Sequence, residues 1–234
     1  MKKIVVIAVL ILGSSILKAQ TQHQTSGWLM FVNNTKFSEK WGMALDVQFR
    51  SSDEFGYLRN FMFRPGLTYF INKNNNVTLG YLLNTTKTEV LGAPDVDLVE
   101  HRIWEQYILT HRLGGIFATH RLRLEQRFIE QANQVDIFSQ RFRYFFRFIQ
   151  PLQKKKESFD KGIFFALQNE VFLNIQNKDL LNKSMFDQNR LYIAAGFRFS
   201  KKVDIEAGYL NQASNGVNNY AVNNVVQLAL YTRF

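Results

Sequence analysis

Residues Gly115 to Gln150 read GIFATHRLRLEQRFIEQANQVDIFSQRFRYFFRFIQ. Taken two residues at a time, the first half places Leu122, Leu124 and Phe128 on one face and Arg121, Arg123, Glu125 and Arg127 on the other. The second half places Phe138, Phe142, Tyr144, Phe146 and Phe148 against Arg141, Arg143 and Arg147. Side chains alternate across a strand, so this is a pair of β-strands with one apolar and one ionic face, joined by a polar loop around Glu130 to Asp136. A helical period of 100° per residue would scatter the arginines around the whole circumference. In a water-soluble protein the apolar face would be the core. In an outer membrane the pattern is inverted: aromatics meet lipid and arginines line a closed interior.

The N-terminus favours the second arrangement. Lys2 and Lys3 precede the apolar run Ile4 to Leu12, followed by Gly13-Ser14-Ser15 and Leu17-Lys18-Ala19. This is the pattern of a secretory signal, with cleavage expected after Ala19, which leaves residues 20–234 as the mature domain. The apolar run is too short for a membrane-spanning helix, and no later stretch has eighteen apolar residues in a row. The chain has no cysteine, which excludes disulfides, thiolate metal sites and N-terminal lipidation. No cofactor or metal site is expected.

The formal net charge of +10 raises nucleic acid as a partner, but export argues against it. The charges are also segregated. Lysines gather at the signal and in connections, among them Lys73, Lys154 to Lys156, Lys178, Lys201 and Lys202, while arginines sit inside strands at alternating positions. Arg has a planar fork suited to pairing with carboxylates in a confined space, as a salt-bridged interior requires.

The same alternation recurs along the chain. Trp41, Met43, Leu45, Val47 and Phe49 share a face, as do Phe61, Phe63, Leu67 and Tyr69, and Val77, Leu79, Tyr81 and Leu83. Pro65 within its strand removes a ladder donor and marks a bulge or an edge. The faces of Val99 to Arg112 are ambiguous, and a phase-switching bulge is expected there. Ile163 to Asn174, Arg190 to Phe199, Val203 to Tyr209 and Val225 to Phe234 complete the pattern, with Gln176 to Asp187 and Gln212 to Asn224 read as loops. With a short strand from Trp28 to Asn33, this makes eleven strands. Single-chain bacterial barrels carry an even number, so the expectation is an all-β, antiparallel transmembrane barrel of twelve strands, a hidden one lying near residues 21–40, with ten as the alternative. Connections alternate between short and long, as periplasmic turns and outer loops do; only the lysine-rich link after Pro151 breaks the rule. The chain stops at Phe234 on the apolar phase of its last strand, similar to the signal read by the barrel assembly machinery.

HRLRLEQRF (His120 to Phe128), RFRYFFRF (Arg141 to Phe148), NEVFLN (Asn169 to Asn174), FDQNRLYIAAGFRF (Phe186 to Phe199) and GYLNQ (Gly208 to Gln212) together resemble the domain-of-unknown-function family numbered 2490. The resemblance implies an outer-membrane β-barrel of the kind common in Bacteroidetes-type bacteria. It implies no activity.

The candidate site is an interior charge network: Arg121, Arg123, Glu125, Arg127, Arg141, Arg143 and Arg147, facing one another if the hairpin centres near Asn133, with Glu170, Arg190, Arg198, Asp204 and Glu206. One reading is structural, ion pairs that neutralise a narrow interior. The other is a narrow pore or solute-binding barrel favouring a small anionic solute, because arginine exceeds carboxylate in the central hairpin. Two further classes stay open. A membrane-embedded lipid hydrolase would use His120 on the lipid phase, although Ser139 falls on the opposite phase. A soluble secreted β-protein would bind an apolar ligand. The expected surroundings are outer-membrane lipid of a Gram-negative bacterium.

Overall fold

In a computed structural model, residues 21–234 are described apart from 90, 91, 93, 133, 134, 153–157 and 218. The stretch read as a secretory signal and Lys154 to Lys156 lie outside the described residues. The described residues form eleven strands: β1 (Thr21–Lys36), β2 (Trp41–Ser51), β3 (Leu58–Phe70), β4 (Asn75–Thr88), β5 (Val96–Leu113), β6 (Ile116–Ile129), β7 (Ile137–Pro151), β8 (Gly162–Gln176), β9 (Phe186–Ser200), β10 (Val203–Asn215) and β11 (Tyr220–Arg233). Each pairs antiparallel with its sequence neighbour, and β1 closes the barrel by pairing parallel to β11.

The strand number is therefore eleven, rather than twelve or ten. A parallel seam is what permits an odd number, since with eleven strands the first and last run the same way. The stretch near residues 21–40 holds one strand longer than its apolar core rather than a hidden second one.

Two other expectations are corrected. β5 keeps one register with both neighbours from end to end and has no bulge. Glu100, Arg102, Trp104 and Gln106 point inward, while His101, Ile103, Glu105 and Tyr107 point outward. Its faces read ambiguously because Trp104 is an interior aromatic and Glu105 an exterior acid that accepts a bond from Gln126 at 3.1 Å. The second correction is the supposed loop Gln212 to Asn224, most of which is strand, leaving only residues 216–219 between β10 and β11. Asparagine has poor strand propensity, but here its amides pair across the ladder, as Asn211 does with Asn224 at 3.3 Å. Pro65 sits in β3 without a register shift on either side and marks neither a bulge nor an edge.

The barrel is inside-out relative to a soluble protein. Leu79 is 58% exposed, Ile193 54% and Leu228 49%, whereas Glu125 is fully buried. Inward aromatics fill part of the interior where the facing strands carry glycine. A Cβ on Gly80 would lie 2.2 Å from the Trp104 ring, and one on Gly66 2.7 Å from it. Phe159, in the connection from β7 to β8, lies on the side of the short turns. Phe159 packs there in a buried cluster with Phe164, Tyr192 and Trp28, with Phe117 and Ile149 against it.

Candidate functional site

The β6–β7 hairpin sets the site. Its register pairs Gln126 with Gln140, Glu125 with Arg141 and Arg123 with Arg143, as a hairpin centred on position 133 requires. Like-charged Arg123 and Arg143 thus stand opposite each other, which is tolerable only with a carboxylate between them. Glu125 fills that role. Its Oε2 accepts bonds from Arg141 Nη2 at 2.7 Å and Nε at 3.0 Å, and its Oε1 from Arg143 Nη1 at 2.5 Å. Arg102 at 3.6 Å and Arg123 at 3.9 Å complete a ring of four guanidinium groups around one acid.

Pairing then spreads around the barrel wall. Glu170 of β8 holds Arg121 at 2.6 Å and Arg143 at 2.7 Å. Glu100 grips Arg102 with both oxygens, each at 2.7 Å, and Arg127 at 2.6 Å. Asp187 takes the remaining arm of Arg141 at 2.7 Å. Glu206 of β10 pairs with Arg147 across the interior. Near the short-turn rim Asp204 binds Arg198 through both its oxygens, at 2.7 and 2.9 Å, and Arg233 at 2.7 Å. Asp46 of β2 holds Arg64 at 2.5 Å.

All the interior residues named from the sequence face inward, but they do not form one patch. Arg198 and Asp204 belong to the rim, and Arg190 takes no carboxylate. Phe234 is exposed on the short-turn rim, where its backbone N–H bonds the carbonyl of Asn34 at 2.9 Å across the seam.

Sequence reading missed Arg50, Arg64, Arg102, Asp46 and Glu100. Arg50, Arg64 and Asp46 were legible as inward positions of β2 and β3; Arg102 and Glu100 were hidden by the ambiguous phase of β5. Arg50 and Arg190 differ from the rest. Among the described residues neither has a carboxylate partner. Arg50 donates to Gln48 Oε1 at 2.5 and 3.0 Å, and Arg190 to Gln188 Oε1 at 3.1 Å. Both guanidinium groups lie over the Trp28 ring, 3.7 and 5.1 Å from its centre. A cation over an indole face is partly compensated by the ring quadrupole, but it stays a net charge.

Among the described residues, chambers lie between these side chains, and two of them adjoin the network. The larger, about 210 Å³, lies on the short-turn side and is bounded by Asp46, Gln106, Arg123, Arg147, Glu170 and Tyr231, among others. The smaller, about 110 Å³, lies on the loop side between Asn60, Met62, Asn84, Phe172 and six arginines.

Outside the barrel, His120 is bonded through Nδ1 to the Tyr144 hydroxyl at 2.9 Å, and its Nε2 lies 3.0 Å from Nε2 of His111. Ser139 is buried on the other face and donates to the carbonyl of Gln176 at 2.9 Å. Among the described residues no cluster of three or more His, Cys, Asp or Glu side chains is arranged to hold a metal ion.

Fold and interior together define a closed β-barrel with a buried arginine–carboxylate network. Residues 25–223 match the model of the family described as "Protein of unknown function (DUF2490)", and the chain belongs to that family. An uncharacterized protein of Methylorubrum extorquens is 25% identical over 211 residues, covering 88% of this chain and 87% of the relative. No solved structure matches.

Proposed function

We propose that the protein is an outer-membrane barrel whose arginine-rich interior takes up a small anionic solute. The observation that carries this reading is the inversion of the barrel, apolar without and ionic within. Strands of 11 to 18 residues support it, since about 9–11 tilted residues cross a bilayer. The secretory signal in the sequence and the terminal aromatic Phe234 point the same way, the latter toward the barrel assembly machinery. Phe159 and its neighbours closing the short-turn end favour a solute-binding barrel, reached from the loop rim, over a wide pore. An ionic interior speaks against a secreted carrier of apolar ligands. Facing Tyr144 and His111 rather than a serine, His120 lacks the partner a lipid hydrolase needs.

The test has two parts. The protein is expected in the outer-membrane fraction, with a gel mobility that changes on boiling; recovery in the soluble fraction without that change overturns the location. In liposomes, small anions are expected to enter faster than cations of similar size. Arg123→Gln with Arg143→Gln should reduce that preference while the barrel still folds, because interior charge sets selectivity. A preference unmoved by removing both arginines overturns the role of the interior.

A further inference from the structure

The two chambers share a wall. Arg50, Arg64, Arg143 and Arg190 line both of them. The smaller chamber is bounded by these four together with Arg102 and Arg141, and by no carboxylate. Arg64, Arg102, Arg141 and Arg143 are compensated by acids that lie outside that chamber. Arg50 and Arg190 have no carboxylate in ion-pair contact among the described residues; the acids nearest to them, Asp46 and Glu170, are held by Arg64 and by Arg121 and Arg143.

The only acceptors of Arg50 and Arg190 among the described residues are amide oxygens, and those amides are themselves held. Gln48 donates to both oxygens of Asp46, at 2.8 and 3.0 Å, which turns its own oxygen toward Arg50. Gln188 Oε1 receives Gln212 at 2.8 Å besides Arg190. Each guanidinium is thus fixed along one edge by a neutral group and has its remaining N–H groups left for another acceptor. Arg64 Nε, at the same wall, is buried without a hydrogen-bond partner. Two cations without a carboxylate in contact, against one indole, repel each other, and burial removes the water that would screen them. An anion is the missing component.

We infer that the wall between the chambers is a binding site for a single small oxyanion, gripped by Arg50 and Arg190 beside Trp28. Guanidinium forks match the paired oxygens of phosphate, sulfate or carboxylate, which a spherical halide lacks. The size of the chamber restricts the ligand further. Sites for drug-sized molecules occupy roughly 300–1,000 Å³, against about 110 Å³ here, so the site takes one oxyanion group and excludes a nucleotide. The inference rests on reading the interior as a solute chamber, but not on where the barrel resides.

The mature barrel, folded in detergent micelles, would be titrated with inorganic phosphate while chloride keeps ionic strength constant. The unfolding temperature should rise saturably with phosphate, and acetate in a parallel series shows whether a planar carboxylate serves as well. Arg50→Gln and Arg190→Gln should each weaken the apparent affinity roughly tenfold or more, as loss of a charge-assisted pair does. The double variant should not respond, yet should unfold without phosphate no lower than the unaltered protein, because two unpaired charges are gone. Arg59→Gln, on the exposed surface, should respond fully. An equal rise with chloride alone, or a double variant that still responds, overturns the site. A double variant that unfolds lower or fails to fold does so too, because it assigns the pair a structural role. Loss of anion preference in liposomes with phosphate binding intact would instead overturn the proposed function and leave this site standing.

Discussion

The interior divides into two regions that use the same residue differently. Along β5 to β8, arginines are locked to carboxylates: Glu125 alone touches four of them, and Glu170 and Glu100 hold two each. Across the barrel, Arg50 of β2 and Arg190 of β9 meet glutamine and aromatic rings, Trp28 for both and Phe172 for Arg190, with no carboxylate in ion-pair contact among the described residues. The first region has the character of a scaffold, where every interior arginine has a carboxylate partner, often shared, and removing one acid strands several of them. The second holds charge in reserve. Partner chemistry, rather than residue type or depth of burial, separates an arginine that builds the barrel from one that, on the proposed reading, is available to a solute.

That contrast sets the size of mutational effects. Glu125→Gln leaves Arg141 and Arg143 without their shared acid in a buried setting, and should lower unfolding stability by about 3–5 kcal/mol. Denaturant unfolding in micelles measures this; a loss below 1 kcal/mol would mean that the paired region is no scaffold. Phe159→Ala should cost less, about 2–3 kcal/mol, because the cluster under the short-turn rim loses one aromatic and the gap can partly collapse. It should also quicken solute entry if the link is what closes that end, and unchanged entry would assign it packing alone. The smallest effect is expected at Arg190→Gln, within about 1 kcal/mol of the unaltered barrel, since no ion pair is broken. A loss as large as that of Glu125→Gln would erase the distinction between the two regions.

Most of the barrel was legible in sequence because its strands alternate so regularly between apolar and ionic faces. Arg141-Phe142-Arg143-Tyr144 leaves no doubt about which way each side chain points. The hairpin register followed from one geometric condition, a centre at position 133, and with it the facing of Arg123 and Arg143. Legibility failed where a residue contradicts its face. Trp104 inside and Glu105 outside made β5 look as if it switched phase, because alternation alone cannot see that Gly66 and Gly80 make room for the indole. The pairings of Arg121 with Glu170 and of Arg147 with Glu206 join positions 49 and 59 residues apart. They depend on strand tilt and barrel closure, which no local pattern encodes. The even-number rule misled for a related reason: it concerns how the ends meet, and strands do not announce in sequence whether their closing pair is parallel.

The parallel seam has a consequence for the chain as a thread. β1 and β11 stay in register from Thr21 beside Tyr220 to Asn34 beside Arg233. Running the same way, they leave Thr21 on the loop rim and Phe234 on the rim of short turns. In an even-stranded barrel the two ends are neighbours, and a short linker can join them into a circle. Here such a linker would have to travel back along the seam, roughly 45 Å at 3.3 Å per residue, so circular permutation through a short peptide should not yield a closed barrel. In a bilayer the same geometry puts the ends on opposite sides. An epitope placed just before Thr21 and one placed after Phe234 should therefore never be reached by antibody from the same face of an intact membrane.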